Sequence, residues 1–279
     1  MSIKTVETIE KMRKTRENLS GKIGFVPTMG YLHEGHLSLV KLAQKECDHV
    51  IVSIFVNPKQ FLPNEDLNKY PRNIKKDLEL LKKVNTDIVF LPKTEEFYSN
   101  DFETYISLEK LPLKLEGKSR PGHFTGVATV VSKFFNIIQP THAYFGQKDA
   151  QQVLVMKKMI EDLNFPIKIV VGETIRESDG LAMSSRNVFL DKKERQEAAV
   201  IYKSLSLAEK LFKSGEKDTE KIVKEIEKLI NKTSGKIDYI SISDLKTLEE
   251  LERIEKQALV SIAVKFGKTR LIDNILLNK

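Results

Sequence analysis

The sequence predicts an α/β protein in which a doubly wound parallel sheet is followed by a smaller α+β domain. Three observations lead there. Up to about residue 176, short β-branched apolar runs alternate with amphipathic helical segments, the pattern of parallel strands joined by right-handed helical crossovers and covered on both faces. Beyond it, helices are followed by strands without alternation, which marks a separate fold. The 279 residues suffice for nearly two domains of about 150 residues each. The first domain is expected over 1–176 and the second over 177–279, opening on the loop that carries Met183 to Arg186.

The elements follow in order. Val6, Ile9 and Met12 share one face of a first amphipathic helix, and Ile23 to Val26 is a short strand. A helix over Leu37 to Cys47 leads to the apolar run Val50 to Val56, too short for a core helix and rich in β-branched residues. Next come a helix from Arg72 to Val84 and a strand from Asp87 to Leu91. A helix from near Phe124 ends before Pro140 and precedes the strand Ala143 to Phe145. The helix Ala150 to Leu163 and the strand Ile167 to Val171 complete the first domain. In the second, helices are expected over Lys192 to Phe212 and Thr219 to Asn231, and strands over Ile237 to Ile242, Ala258 to Phe266 and Arg270 to Leu276. The segment Asn57 to Pro71, with three prolines and no periodicity, is long enough to be a functional or mobile loop.

Composition narrows the function classes. The net charge of +7 is spread evenly, with 25 basic and 21 acidic residues in 1–175 and 21 and 18 in 176–279, mostly lysine interleaved with glutamate. A nucleic-acid binder would concentrate that charge in a stripe or arm, so no nucleic-acid partner is expected. The single cysteine, Cys47, excludes an intramolecular disulfide and a CxxC zinc ribbon and fits a reducing compartment. No apolar run approaches the ~18 residues of a membrane span, and the N-terminal residues lack a signal-peptide core. A cytoplasmic protein with no membrane partner is expected.

In doubly wound sheets ligands bind at the carboxyl ends of the strands. The first such end is Pro27-Thr28-Met29-Gly30-Tyr31-Leu32-His33-Glu34-Gly35-His36. Neither a Walker A loop nor a GxGxxG motif occurs. Instead two histidines flank a glycine at a helix N-terminus, where backbone N–H groups and the helix dipole favour anions. Imidazole donors there stabilise charge developing on a phosphate, and Gly35 leaves room for a flat base. A zinc site is not expected, because no further ligand is spaced to complete one, and no metal ligand is assigned.

Four more segments carry suitable chemistry. Met183-Ser184-Ser185-Arg186 offers two hydroxyls and a guanidinium for a polyphosphate, or else a serine N-cap. Gly146-Gln147-Lys148-Asp149 sits at a strand-to-helix turn, with Gln152 one turn on; Lys148 suits phosphates and Asp149 ribose hydroxyls, with a plain N-cap as the alternative for Asp149. Asn57 and Gln60, in Ser53 to Phe61, put uncharged amides at the same sheet edge, suited to a hydroxylated organic substrate or to loop hydrogen bonds. Arg120-Pro121-Gly122-His123-Phe124 is a turn entering a helix, whose arginine meets either an anion or its own fold.

In their order and spacing, PTMGYLHEGH, SIFVNPKQF, EGKSRPGHF, YFGQKDAQQ and DGLAMSSRN resemble the pantoate–β-alanine ligase (pantothenate synthetase) family. HxGH and MSSR are similar to the HIGH and KMSKS signatures of the superfamily that includes class I aminoacyl-tRNA synthetases and nucleotidyltransferases. The resemblance implies a Rossmann-like first domain and AMP-forming ligation of pantoate to β-alanine through a pantoyl adenylate, for pantothenate and coenzyme A biosynthesis. It implies an ATP site of Met29, Gly30, Tyr31, Leu32, His33, Glu34, Gly35, His36, Gly146, Gln147, Lys148, Asp149, the backbone near Ile175, Met183, Ser184, Ser185 and Arg186. Gln60 and Gln152 would hold pantoate, Gln60 would also touch β-alanine, and His36 would be the catalytic proton donor. It further implies ATP as a substrate accompanied by Mg²⁺, no tightly bound organic cofactor, and a homodimer. Two alternatives stand beside it: another nucleotidyltransferase of the superfamily acting on a small phosphorylated substrate, and a catalytically silent tRNA-binding relative.

Overall fold

Six strands, all parallel, form the sheet that the alternation predicts; the computed structural model describes residues 3–62, 65 and 67–278. In chain order they are β1 (Lys4–Val6), β2 (Ile23–Thr28), β3 (His49–Ile54), β4 (Ile88–Phe90), β5 (His142–Gly146) and β6 (Lys168–Gly172). Their spatial order is β1-β4-β3-β2-β5-β6. The chain therefore builds outward in one direction from β2 and in the other from β5, and the two lie side by side. That is the topological switch point, where loops from neighbouring strands part and leave a crevice at the carboxyl edge.

Among the described residues seven helices accompany the sheet: α1 (Ile9–Glu17), α2 (Glu34–Glu46), α3 (Ile74–Lys83), α4 (Thr94–Phe97), α5 (Leu115–Ser119), α6 (His123–Ile138) and α7 (Ala150–Asp162). Side chains alternate across a strand, so the central strands β2 to β5 feed two cores. Phe25, Ile51, Phe90 and Phe145 pack with Phe134 and Phe135 of α6 and Val153, Met156 and Met159 of α7. Val26, Val52, Val89 and Tyr144 pack on the other face with Leu37, Val40 and Ala43 of α2 and Leu81 of α3. Both faces being buried explains why the strands read as continuous apolar runs.

Two expectations are corrected. Val6 is not helical: Lys4–Val6 is a strand, paired in register with Ile88–Phe90, and α1 begins only after Thr8, whose Oγ1 accepts from Lys11 N at 3.2 Å. Val6 and Met12 still share one core, so an apparent helical face is divided between a strand and a helix. The expected helix over Lys192 to Phe212 is two, α8 (Lys192–Glu197) and α9 (Val200–Lys213). A tighter turn separates them, in which Ile201 N donates to Ala198 O at 3.1 Å.

The chain divides into two compact units, one of residues 1–147 and 151–173, the other of 148–150 and 174–279. Against the expected boundary at 176/177, Thr174 to Arg176 go with the second unit, because Arg176 is paired with Asp273 and bridged to Ala182. In that unit α10 (Thr219–Ile230) follows α9, and β7 (Lys236–Ser243), β8 (Gln257–Phe266) and β9 (Thr269–Asn278) form an antiparallel sheet. Ile201, Leu205 and Ala208 of α9 and Ile222, Ile226 and Ile230 of α10 recur at helical spacing and pack with Val260, Ile262 and Val264 of β8. This is the helices-on-a-small-sheet arrangement that the sequence predicts. Among the described residues no helix is long and apolar enough to cross a membrane.

Candidate active site

At the carboxyl end of β2 the backbone turns sharply. Thr28 Oγ1 donates to Ser53 O of β3 at 2.7 Å and accepts from Gly30 N at 3.2 Å. Gly30 has φ +79°, and a Cβ there would meet Ile54 Cγ2 at 2.9 Å, so only glycine fits. Tyr31 also adopts a left-handed conformation, φ 52°, which is strained for a bulky residue. Asp77, buried in the first turn of α3, holds that conformation. Its two oxygens accept from Tyr31 N at 2.9 Å and Leu32 N at 2.7 Å. Burial pushes the Asp77 carboxyl above its usual range, and these two N–H groups oppose the shift.

The two histidines then start α2. His33 is its N-cap and accepts on Nδ1 from Gly35 N at 3.2 Å; His36 accepts on Nδ1 from His33 N at 3.3 Å. This reciprocal arrangement is a capping box built from imidazoles. A neutral imidazole that accepts on Nδ1 carries its proton on Nε2. Both rings, with centroids 4.0 Å apart, are thereby set as Nε2–H donors at the N-terminus of a 13-residue helix. Glu34 is exposed and lies 3.4 Å from Lys41.

Met29 and Gln60 come together at the same edge, where Gln60 Nε2 donates to Met29 Sδ at 3.2 Å. Gln60 ends a short 3-10 turn, Pro58–Gln60, that follows β3. Asn57 anchors that turn and is not itself presented outward. Buried to 1% exposure, it donates to Gln60 Oε1 at 3.0 Å and Gly126 O at 3.1 Å, and accepts from Tyr98 Oη at 2.9 Å and Lys59 N at 3.2 Å. Burial pushes the Tyr98 phenol up, which keeps it an O–H donor.

Arg120 and His123 grip the same turn from the other side. His123 Nδ1 donates to Gln60 O at 2.8 Å, and Arg120 Nη1, a pure donor, lies 3.1 Å from Nε2. Burial first, and then the Arg120 charge, hold His123 neutral and lower its pKa to about 4. Arg120 also forks onto Glu65 at 2.5 and 2.7 Å. Burial alone would raise the Glu65 carboxyl, but the guanidinium outweighs it and holds it below its usual range. The anion that Arg120 meets thus belongs to the chain itself. The segment Asn57 to Pro71 contains a second 3-10 turn, Leu67–Lys69, while positions 63, 64 and 66 lie outside the described residues.

Beyond β5, Gln147–Asp149 forms a 3-10 turn leading into α7. Gln152 is half-buried on the first turn of α7, whereas its neighbour Gln151 is buried and wholly structural, bonded to Leu111 O, Lys114 O and Glu116 N.

In the second unit Lys148 Nζ lies 3.6 Å from Asp149 Oδ1. Ile175 O accepts from Met183 N at 3.0 Å, closing a hairpin that runs directly into Ser184. Ser184 caps the 3-10 turn Ser185–Phe189 by accepting from Arg186 N at 3.2 Å, so the N-cap alternative holds for this hydroxyl. Ser185 is buried and Arg186 is half-buried. No group of three or more His, Cys, Asp or Glu gathers as a metal site among the described residues.

Residues 2–276 match the family model described as pantoate-beta-alanine ligase. The chain belongs to the pantoate–β-alanine ligase family. It is accordingly an ATP-using ligase of pantoate and β-alanine, in pantothenate biosynthesis. The pantothenate synthetase of Thermotoga petrophila is 53% identical over 279 residues, covering 99% of this chain and 100% of that one. The ligase also superposes on the crystal structure of pantothenate synthetase from Thermus thermophilus, with a TM-score of 0.94, 42% identity and coverage of 98% and 99%. A Francisella tularensis pantoate-beta-alanine ligase, crystallised with beta-gamma ATP and beta-alanine, gives a TM-score of 0.84 at 38% identity and covers 98% and 97%.

Sequence reasoning missed Asp77 and Tyr98 and left Arg120 and His123 open. The side-chain hydrogen bonds described above reach partners 41 to 63 residues away, apart from the 3 residues between Arg120 and His123, so little in the local pattern signals them.

Proposed function

We propose that the ligase works through a pantoyl adenylate, with His33 and His36 acting at the phosphates. A carboxylate does not acylate an amine at neutral pH, because oxide is too poor a leaving group. Attack of a pantoate carboxylate oxygen on the α-phosphorus of ATP forms the acyl–phosphate bond and breaks the bond to pyrophosphate. The β-alanine nitrogen then attacks the acyl carbon, AMP leaves with the bonding pair, and the amine gives up a proton. The observation that carries this reading is the pair of Nδ1 hydrogen bonds that set both histidines as Nε2–H donors. Such donors are worth most where charge develops in the transition state, and in this reading His36, the donor that the resemblance implies, gives its Nε2–H hydrogen bond to the departing pyrophosphate.

Met29 to His36, Gly146 to Asp149, Ile175 and Met183 to Arg186 hold ATP in this reading, with Lys148 and Arg186 at the phosphates. Gln60 and Gln152 hold pantoate, and Gln60 also meets β-alanine. The grip on both sides of the Gln60 turn supports that role, since an amide that orients a carboxylate must itself be fixed. Mg²⁺ enters on ATP, held mainly by its phosphates. The β-alanine and ATP analogue named for the Francisella tularensis structure support the choice of ligands. The enzyme is further proposed to be a cytoplasmic homodimer with no nucleic-acid partner.

The test is isotope exchange. With pantoate present and β-alanine absent, labelled pyrophosphate is expected to enter ATP; no exchange under those conditions, or equal exchange without pantoate, rejects the adenylate.

A further inference from the structure

Two adjacent residues of β9, Asp273 and Asn274, are buried to 3% and 4% exposure although both are polar. Neighbours on a strand point to opposite faces, so each has its own partner. Asp273 forks onto Arg176, with Nη1 to Oδ2 at 2.5 Å and Nη2 to Oδ1 at 3.2 Å. Arg176 in turn donates to Gly180 O at 3.2 Å and stacks 4.2 Å over the Tyr202 ring. It thereby fixes the base and tip of the hairpin whose second strand, through Ala182 and Met183, leads into Ser184–Arg186. Asn274 Nδ2 donates to the backbone oxygen of Lys148 at 2.8 Å, and Asn274 N donates to Asp273 Oδ1 at 2.8 Å.

We propose that Asp273 and Asn274 are positioning residues for ATP, holding Lys148 and the Met183–Arg186 segment in one frame through β9. This rests on the reading that those two segments bind ATP. The physical reason is that an ammonium on a flexible four-carbon stem and a guanidinium on a turn are useful only when their backbones are fixed. A misplacement of about 1 Å costs about 10²-fold in rate. Burying a carboxylate and an amide beside an apolar core is unfavourable unless both are fully bonded, so two such residues in sequence fix a geometry that apolar side chains would not.

The experiment is a double-mutant cycle in the full-length enzyme, with KM for each substrate and thermal unfolding as readouts. Asn274→Ala is expected to raise the KM for ATP about tenfold, the loss of one hydrogen bond. The KM values for pantoate and β-alanine should stay within about twofold and Tm within about 5 °C. In a Lys148→Ala background the same change should add less than about twofold, because no ammonium remains to be misplaced. Asp273→Asn would strand the Arg176 charge and endanger folding, so Arg176→Lys tests that arm. It keeps the charge, loses the fork, and should also raise the KM for ATP about tenfold. An unchanged KM for ATP in Asn274→Ala, an equal rise for all three substrates, or an undiminished effect on top of Lys148→Ala overturns the positioning role of Asn274, while a damaged Lys148→Ala enzyme leaves the ATP site standing. An unchanged KM for ATP in Arg176→Lys overturns the Asp273 arm. If Lys148→Ala itself binds ATP normally, the reading of Lys148 falls and the proposal with it.

Discussion

The turn that follows β2 and the turn that follows β3 stand at the same edge of the sheet and are built in opposite ways. In the first, His33, Gly35 and His36 bond to one another within three residues, and Asp77 reaches in from afar to hold Tyr31 and Leu32. In the second, Gln60 is held by Asn57, which depends on Tyr98 and Gly126, and by His123 and Arg120, 60 or more residues away. A helix N-terminus supplies its own directed N–H groups, so a donor pair there needs little outside help. A short 3-10 turn has no such frame and must borrow one from neighbouring helices. Damage to the first turn should therefore appear in chemistry, and damage to the second in both stability and substrate binding.

The largest expected effect tests the first turn. His36→Ala should slow adenylate formation by about 10²–10³-fold, as for removal of one transition-state donor. Thermal unfolding should barely change; near-full single-turnover adenylation, or a large loss of Tm, would break the contrast.

The next concerns the second turn and pH. The unfolded chain takes up a proton on His123 near pH 6.5, whereas the folded chain resists it until about pH 4. The stability that neutral His123 contributes is complete above pH 6.5 and is lost as the pH falls towards 4, on the order of 3 kcal/mol in all. His123→Asn retains a donor for the Gln60 carbonyl but does not titrate. Its chemical-denaturation stability should therefore fall less steeply than the parent's across this window, and parallel curves would rule the buried imidazole out as the cause.

Gly126→Ala is a smaller disturbance. The added methyl would run into the Lys59 carbonyl oxygen and Gln60 Cα, outweighing the better helix propensity of alanine. A destabilisation of about 2 kcal/mol and a raised KM for pantoate are expected. A gain in stability from urea melts would mean that the turn is not pressed against α6.

Smallest is Tyr98→Phe, which removes one hydrogen bond to Asn57 Oδ1 and should cost about 1 kcal/mol. It sharpens the comparison by loosening Gln60 without touching it, so the KM for pantoate should rise while the KM for ATP stays put.

The sequence by itself determined the alternation of strands and helices, the helix-then-strand texture of the second unit, and the segments placed at the strand ends. Burial on both faces writes strands as apolar runs, and a helix start, a glycine turn and a histidine pair all express themselves within a few residues. It misread Val6, because an apolar spacing of three suits a helix face as well as a strand followed by a helix. The very short α4 and α5 show no period at all. Only the tertiary structure decided which polar residues act inward. Asn57 anchors where Gln60 is presented, Gln151 is tied down while Gln152 is not buried, and Arg120 meets Glu65. Asp77, Asp273 and Asn274 gain their roles from partners that folding brings together from 45 to 126 residues away. A hydrogen bond needs donor and acceptor within about 3 Å, and for groups so distant along the chain that proximity exists only after the strands have paired and the helices have packed.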